Sequence, residues 1–204
     1  MLEGLWLVHP RKEMCAAFRD RFADLPNVLV LQSRFEDLPP HDCFVTAGNS
    51  FGIMTAGIDA AVVHRFGEDL MRRVQHQIMD EYFGEQPVGT AFVVSTGDAA
   101  LPFLCHAPTM RVPGSIAGTD KVYTATWAAL LAIMRHNRTS THPIGVVAMP
   151  AMGTGFGGVP FDEAARQMAA ACRHLLDPPF RLDWDFVIER HKAISYDGGR
   201  QVVQ

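Results

Sequence analysis

The pattern of apolar and polar residues predicts strands that alternate along the chain with amphipathic helices. Short, continuous apolar runs are typical of strands buried on both faces of a sheet, and apolar residues at helical spacing indicate the helices between them. Two runs that flank the turn at Gly97-Asp98 predict an antiparallel pair. Strands are expected near residues 5–8, 28–31, 43–47, 91–95, 103–106, 144–149 and 184–188, and helices near 14–25, 57–66, 70–82, 122–134 and 161–176.

This alternation predicts the fold class. Strands that are connected through amphipathic helices place helices on both faces of the sheet, so we expect an α/β fold. It would be a three-layer α/β/α sandwich with a mixed, mainly parallel central sheet. The 204 residues fit one domain over residues 1–190, followed by a polar, loose tail over residues 191–204.

Composition and charge exclude several classes of function. The formal net charge is −4 and the 18 Lys and Arg form no basic run, so a nucleic-acid partner is not expected. No apolar run approaches the roughly 18 residues that span a bilayer, so no membrane association is expected. Four widely separated cysteines predict reduced, buried thiols in a cytoplasmic protein. Nine histidines show no metal-ligand spacing, so neither a metal nor another cofactor is expected.

Two glycine-rich loops, at residues 48–57 and 153–158, each follow a predicted strand and precede a predicted helix. In open α/β sheets, ligands bind beyond the carboxyl ends of the strands. Glycines let backbone amides approach a phosphate closely, and helix N-termini attract anions. A single glycine-rich turn also serves helix packing, but two loops in equivalent positions favour a site for a phosphate ester.

Three side chains in these loops allow two interpretations each. Asn49 is either a cap of its loop or a hydrogen-bonding partner of a ribose. Asp59 is either a first-turn charge favoured by the helix dipole or a group that orients or activates a water. Phe156 stands between glycines, where it either anchors the loop or presents an aromatic surface to a sugar or base.

Other nucleotide-binding motifs fit the sequence less well. A Walker loop requires Gly-Lys-Ser/Thr after its glycines, whereas Gly157-Gly158 is followed by Val159. The dinucleotide fingerprint G-x-G-x-x-G is only approximated by residues 153–158, and too little chain follows for the usual second acidic strand. A P-loop triphosphatase and a nicotinamide dehydrogenase are therefore not expected.

The two loops resemble those of the macrodomain family, whose members bind ADP-ribose. Residues 42–50 (D-C-F-V-T-A-G-N-S) are similar to the family's D-A-I-V-N-A-A-N-S, and residues 55–62 to its G-G-G-V-D-G-A-I. Residues 104–108 resemble I-H-x-x-x-P, and residues 150–160 resemble P-x-x-G-T-G-x-Y-G-x-P. The resemblance covers about residues 5–190 and is that of a divergent bacterial or phage-related branch. It implies a macrodomain-like fold with ADP-ribose across the top of the sheet.

The resemblance also implies roles for individual residues. Asn49 and Asp59 would be catalytic, since Asp59 matches the acidic residue that positions water in some hydrolase members. No aspartate aligns with the family residue that receives the adenine amino group, so Glu36 or Asp37 would replace it, or adenine would stack on Phe35. Residues 53–56 replace glycines of many members, which predicts a narrower cavity. The implied ligand-binding residues are Phe35, Glu36, Ala47, Gly48, Asn49, Gly57, Ile58, Asp59, Pro150, Met152, Gly153, Thr154, Gly155, Phe156 and Gly157.

The function that the resemblance implies is hydrolysis of an ADP-ribosyl ester or O-acetyl-ADP-ribose, that is, an ADP-ribosyl hydrolase or a deacetylase. The expected partner is ADP-ribose or an ADP-ribosylated small molecule or protein. One alternative is a module that binds ADP-ribose without catalysis. Another is a scaffold or assembly protein that has kept the fold and lost the ligand.

Overall fold

The computed structural model describes residues 2–199 and contains a six-stranded sheet flanked by helices. The strands are β1 (Gly4–Val8), β2 (Val28–Leu31), β3 (Cys43–Thr46), β4 (Phe92–Asp98), β5 (Leu101–His106) and β6 (Val146–Pro150). The helices are α1 (Lys12–Arg21), α2 (Gly57–Phe66), α3 (Glu68–Tyr82), α4 (Lys121–Thr139), α5 (Phe161–Leu176) and α6 (Trp184–Ile194), with 3-10 turns at Phe35–Asp37 and Tyr196–Gly199.

The sheet is mixed and mainly parallel, as predicted. Its strand order is β2-β1-β6-β3-β5-β4. Every neighbouring pair is parallel except β4 and β5, which form the expected antiparallel pair. Because β3 and β6 are parallel neighbours, the glycine-rich loops that follow them leave the same edge of the sheet side by side.

Helices cover both faces of the sheet, which confirms the three-layer α/β/α sandwich. One apolar core contains Phe18 of α1, Leu130 of α4 and Met168 of α5. The other contains Val62 of α2 and Leu70 of α3. Full burial of a large apolar side chain stabilises the folded state by about 1.5–3 kcal/mol, so these faces hold the helices against the sheet.

The strand predicted at residues 184–188 is wrong, because this segment begins helix α6. The Asp183 carboxylate caps the helix by accepting a hydrogen bond from the amide of Phe186 at 3.0 Å. The apolar residues are also not buried as a central strand requires, since Trp184 is 78% and Ile188 48% exposed. A short apolar run does not distinguish strand from helix, and here the local cap favours the helix.

The chain beyond α5 differs from the loose tail predicted from His191. The residues up to 194 are helical, and the following residues pack near α5. The Arg166 guanidinium donates hydrogen bonds of 2.7 Å to the carbonyl oxygens of Ala193 and Ser195. These contacts attach the segment to the domain, whereas residues 200–204 of the predicted tail lie outside the described residues.

All four cysteines, Cys15, Cys43, Cys105 and Cys172, are free and buried, in agreement with the prediction of buried thiols. Burial raises the pKa of Cys105 and of Cys172 to about 12, so both remain protonated at neutral pH. Among the helices described here, none combines the length and the apolar character needed to cross a membrane.

Candidate functional site

A cleft of about 540 Å³ opens at the carboxyl ends of β3 and β6. This volume lies in the range of small-molecule pockets, and the position is where open α/β sheets bind ligands. Of the fifteen residues predicted to bind ligand, all but Met152 line the cleft. The Met152 side chain is fully buried in the core beneath α4 and α5, so it does not face the cleft.

The second glycine-rich loop follows β6 and is shaped by its backbone. Gly153 has a φ of +72°, which side chains other than glycine rarely adopt. A Cβ atom on Gly157 would lie 2.3 Å from the carbonyl oxygen of Gly153. The amide of Val159 donates to that same oxygen at 3.2 Å and closes the turn. Glycine is therefore required at both positions for the loop to fold back on itself.

This folding leaves a run of backbone amides unused. Within residues 2–199, the amides of Gly155, Phe156 and Gly157 have no hydrogen-bond acceptor. Consecutive unpaired amides in a turn form a binding place for anions. The Phe156 side chain beside them is 61% exposed and lines the cleft, which fits an aromatic surface for a ligand better than a buried anchor.

The first glycine-rich loop is shaped mainly by the Asn49 side chain. Its Nδ2 donates to the carbonyl oxygen of Ile53 at 2.8 Å. Its Oδ1 accepts from the amides of Phe51 at 3.1 Å and of Ile53 at 3.3 Å. This is the geometry of a loop cap, so Asn49 holds the cleft wall in place while also lining it.

The residues that replace the family's glycines at 53–56 are divided between core and cleft. Met54 is only 1% exposed and packs in the core with α2 and α3, so its side chain points away from the cleft. Ile53 and Thr55 line the cleft. Helix α2 begins at Gly57 without a side-chain cap, which leaves its first-turn amides unpaired.

Asp59 lies in the first turn of α2 and its side chain is nearly buried. It lines the cleft, yet its Oδ1 has no hydrogen-bond partner within the described chain. Burial raises the pKa of this carboxyl to about 6. The nearby Thr46 hydroxyl lowers the pKa, but its contact falls short of hydrogen-bond geometry, so Thr46 Oγ1 and Asp59 Oδ1 have no partner within residues 2–199. A buried carboxyl of this kind is costly in free energy and typical of functional sites.

The predicted adenine end of the cleft contains Phe35 and Glu36. Phe35 is 2% exposed, and its ring packs against Phe44 with centroids 4.6 Å apart. Little of its face is therefore open for stacking on a base. Glu36 is exposed at the rim, where its carboxylate can accept a hydrogen bond from a ligand.

The irregular segment at residues 107–119 joins the two loops. The amide of Ser50 donates to the carbonyl oxygen of Met110 at 3.1 Å, and the amide of Ile116 donates to that of Gly157 at 2.9 Å. Long loops in compact domains commonly border binding sites. The individual lining residues of this segment, such as Thr109 and Met110, and the lining residues His9 and Pro10 from the end of β1 were not predicted.

Two histidines, His64 and His106, have different positions relative to the cleft. His64 is exposed on α2 and does not line the cleft. His106 is fully buried at the end of β5, beneath the first loop. Over residues 2–199, no three His, Cys, Asp or Glu side chains are grouped so as to hold a metal ion.

Comparison with known proteins identifies the family. Residues 45–168 match the family model described as Macro domain. A protein of Aquifex aeolicus is 33% identical over 132 residues, which cover 65% of this chain and 73% of the relative. A macro domain-containing protein of Listeria monocytogenes is 30% identical over 158 residues, which cover 76% of this chain and 82% of that protein.

A solved structure of the Trypanosoma brucei macrodomain in complex with ADP-ribose has the same fold. It superposes with a TM-score of 0.53 at 15% sequence identity, covering 80% of this chain and 74% of the other. At this identity the likeness concerns the fold alone. The family model covers both glycine-rich loops, and together with the two relatives it shows that the chain belongs to the macro domain family.

Proposed function

We propose that this protein binds ADP-ribose, or a derivative of it, in the cleft and hydrolyses an ADP-ribosyl ester such as O-acetyl-ADP-ribose. The observation that carries the proposal is the pairing of two sets of unpaired amides with one buried carboxyl. The amides of Gly155 to Gly157 and the first turn of α2 both border the cleft, and Asp59 lies in that same turn. The Trypanosoma brucei macrodomain, which shares the fold, was solved with ADP-ribose.

In this proposal the diphosphate lies between the two loops. The α2 N-terminus and the amides of the second loop supply hydrogen bonds and positive potential without a metal ion. Phe156 covers the distal ribose with its exposed ring, and the loop that Asn49 holds forms the opposite wall. The adenine lies toward Glu36, whose carboxylate accepts from the exocyclic amino group.

The hydrolysis step assigned to Asp59 consumes the ester and one water and needs no other reactant. The water oxygen forms a bond to the ester carbonyl carbon while the Asp59 carboxylate accepts a proton. The bond from that carbon to the ribose oxygen then breaks, and the ribose oxygen takes up the proton. A carboxyl whose pKa is raised to about 6 by burial is ionised at neutral pH yet basic enough for this transfer.

A second candidate is a module that binds ADP-ribose without hydrolysing it. It is favoured by the hydrogen bonds of Asn49, whose amide group is engaged by the backbone of its own loop. With Asn49 occupied in this way, only one member of the predicted catalytic pair, Asp59, is free to act on a water, and a single group without its partner favours binding over catalysis. The two candidates use the same cleft and differ in turnover.

The test combines titration calorimetry with ADP-ribose and product analysis with O-acetyl-ADP-ribose and an ADP-ribosylated carboxylate ester. We expect binding by the unsubstituted protein, and loss of turnover with retained binding in Asp59→Ala. Asp162→Asn is the matched control, because Asp162 is also a first-turn acid but lies exposed on α5 in an ion pair with Arg21. Binding without any product would support the binding module. Absence of binding to ADP-ribose and to other nucleotides would refute both and favour a scaffold.

A further inference from the structure

Four buried polar atoms around Gly48 lack a partner within residues 2–199. They are Thr46 Oγ1, Asp59 Oδ1, His106 Nε2 and Thr109 Oγ1. Buried polar atoms without hydrogen bonds are rare because each is unfavourable, so these four atoms require an explanation. Asp59 lines the cleft, so this cluster lies at the floor of the site.

Two side chains of this cluster, the His106 imidazole and the Asp59 carboxylate, lie beside Gly48. Thr46 and His106 are register partners on the parallel strands β3 and β5, so their side chains lie on the same face of the sheet. The amide of Thr109 donates to the carbonyl oxygen of Gly48 at 3.1 Å. A Cβ atom on Gly48 would lie 2.4 Å from His106 Nε2 and 3.3 Å from Asp59 Oδ2. The imidazole and the carboxylate therefore meet beside the Gly48 backbone without a direct hydrogen bond.

The hydrogen bonds of Gln86 determine which nitrogen of His106 carries the proton. Gln86 Nε2 donates to the carbonyl oxygens of Thr90 at 3.2 Å and of His106 at 3.5 Å. Its Oε1 is therefore the atom that lies 2.7 Å from His106 Nδ1, and it accepts from Nδ1–H. Burial lowers the pKa of His106 to about 4, so the ring is neutral at pH 7 and Nε2 is an unprotonated acceptor.

Two acceptors that face each other require a donor between them. At neutral pH neither the Asp59 carboxylate nor His106 Nε2 has a proton to give to the other. A water molecule has two hydrogens to donate, and its oxygen accepts from hydroxyls such as those of Thr46 and Thr109. Buried waters make two to four hydrogen bonds in proteins, so one water is able to bridge His106 Nε2 and the Asp59 carboxylate and also to accept from a neighbouring hydroxyl.

We propose that His106 is a positioning residue that binds one buried water. The water donates one hydrogen to the unprotonated Nε2 and the other to the Asp59 carboxylate. This bridge holds the carboxylate in place. Gln86 fixes the tautomer that makes this bridge possible. The bridge itself requires only the described side chains, and its consequence for the orientation of Asp59 during hydrolysis rests on the proposed function.

The experiment follows the ring nitrogens of His106 by ¹⁵N NMR over a pH titration of the ligand-free protein. We expect the Nδ1–H tautomer at neutral pH, with an Nε2 shift that changes near pH 6 as Asp59 is protonated, and loss of that inflection in Asp59→Asn. An Nε2–H tautomer would overturn the proposal. An Nε2 resonance that is the same in Asp59→Asn would also overturn it. Neither outcome depends on whether the protein hydrolyses ADP-ribose.

The chain contains a matched internal control in His41. It is also buried, its Nδ1 lies 2.8 Å from the carbonyl oxygen of Pro39, and its Nε2 is likewise unpartnered. We expect its resonances to be the same in the unsubstituted protein and in Asp59→Asn. A change at His41 would show that the substitution rearranges the protein generally, and this would overturn the proposal. In Gln86→Leu the fraction of the Nε2–H tautomer of His106 should rise, and an unchanged tautomer in the folded variant would contradict the role of Gln86.

Discussion

The two loops of the cleft are built in opposite ways. In the second loop, after β6, glycines alone permit the turn, and the useful groups are backbone amides. In the first loop, after β3, side chains determine the structure. Asn49 stabilises the loop through hydrogen bonds, and Asp59, in the turn of α2 that follows, supplies a buried carboxyl. The second loop therefore tolerates no added atom at certain positions, whereas the first loop tolerates substitution at a cost in stability that is set by hydrogen bonding and charge.

The largest effect is expected for Gly157→Ala in the second loop. The new Cβ would meet the carbonyl oxygen of Gly153 at 2.3 Å, and backbone on both sides would have to move. We expect the free energy of unfolding to fall by about 3 kcal/mol, as for severe overpacking. Urea unfolding followed by circular dichroism measures this change.

Gly155→Ala is the matched control for that substitution. A Cβ on Gly155 would meet nothing within 4 Å, and its φ is not positive. Stability should therefore change by less than about 0.5 kcal/mol, whereas affinity for ADP-ribose should fall because the methyl group crowds the free amides. Equal destabilisation by the two substitutions would show that the loop is not held by the close approach of Gly157 to Gly153.

In the first loop, Asp59→Asn is expected to stabilise the ligand-free protein by about 2 kcal/mol at pH 7. The folded pKa of about 6 lies above the ordinary value of 3.8, so the unfolded chain binds fewer protons than the folded chain between these values. The contribution of Asp59 to stability therefore declines as pH rises from about 4 to above 6, and the variant lacks this decline. Urea unfolding at pH 4, 5, 6 and 7 measures the difference, which should grow with pH.

His106 provides a second test in the same measurement, because its shifted pKa changes stability with pH in the opposite direction. Its folded pKa of about 4 lies below the ordinary 6.5, so the unfolded chain binds more protons between these values. Its contribution to stability is present above pH 6.5 and is lost as pH falls toward 4. The two groups offset each other in the unsubstituted protein, and Asp59→Asn should show a clear rise of stability from pH 4 to 6.5. A flat profile in the variant would contradict the burial of a neutral His106.

Asn49→Ala should lower the free energy of unfolding by about 1.5 kcal/mol, because three hydrogen bonds within the first loop are lost. Asn49→Asp is the comparison variant, since its carboxylate keeps the two bonds from the amides, whereas its second oxygen replaces the Nδ2 donor and repels the carbonyl oxygen of Ile53. Thermal unfolding of both variants measures the difference. A melting temperature of Asn49→Ala equal to that of the unsubstituted protein would show that these bonds do not hold the loop.

The smallest effect on stability is expected for Phe156→Ala. The side chain is 61% exposed, so the free energy of unfolding should change by less than about 0.5 kcal/mol. Affinity for ADP-ribose should nonetheless fall about tenfold, because the aromatic surface over the ligand is lost. Titration calorimetry measures this, with Phe156→Tyr retaining the ring as control. Unchanged affinity in Phe156→Ala would place the ring outside the ligand contact.

Both loops of the cleft could be predicted from local sequence signals, and fourteen of its thirty lining residues were implied by the resemblance to the macrodomain family. The spacing of glycines after apolar runs located both loops, and fourteen of the fifteen predicted ligand-binding residues line the cleft. The exception, Met152, sits among residues that do line it, and whether its side chain faces core or cleft depends on the turn of the backbone around Gly153. The orientation of the Met152 side chain is set by packing against α4 and α5, and a local sequence pattern carries no information about this packing.

The order of strands and helices up to α5 and the positions of the two glycine-rich loops were determined by the sequence alone, because they depend on local periodicity and on residues with special backbone freedom. The family was indicated by the motifs in and around those loops. The helix at residues 184–194 was decided by its cap and its exposure. Only the tertiary structure brings Gln86, His106, Thr46 and Asp59 together, since they come from separate strands, a loop and a helix. Their pKa values and tautomer arise from shared burial, and burial is a property of the folded chain as a whole.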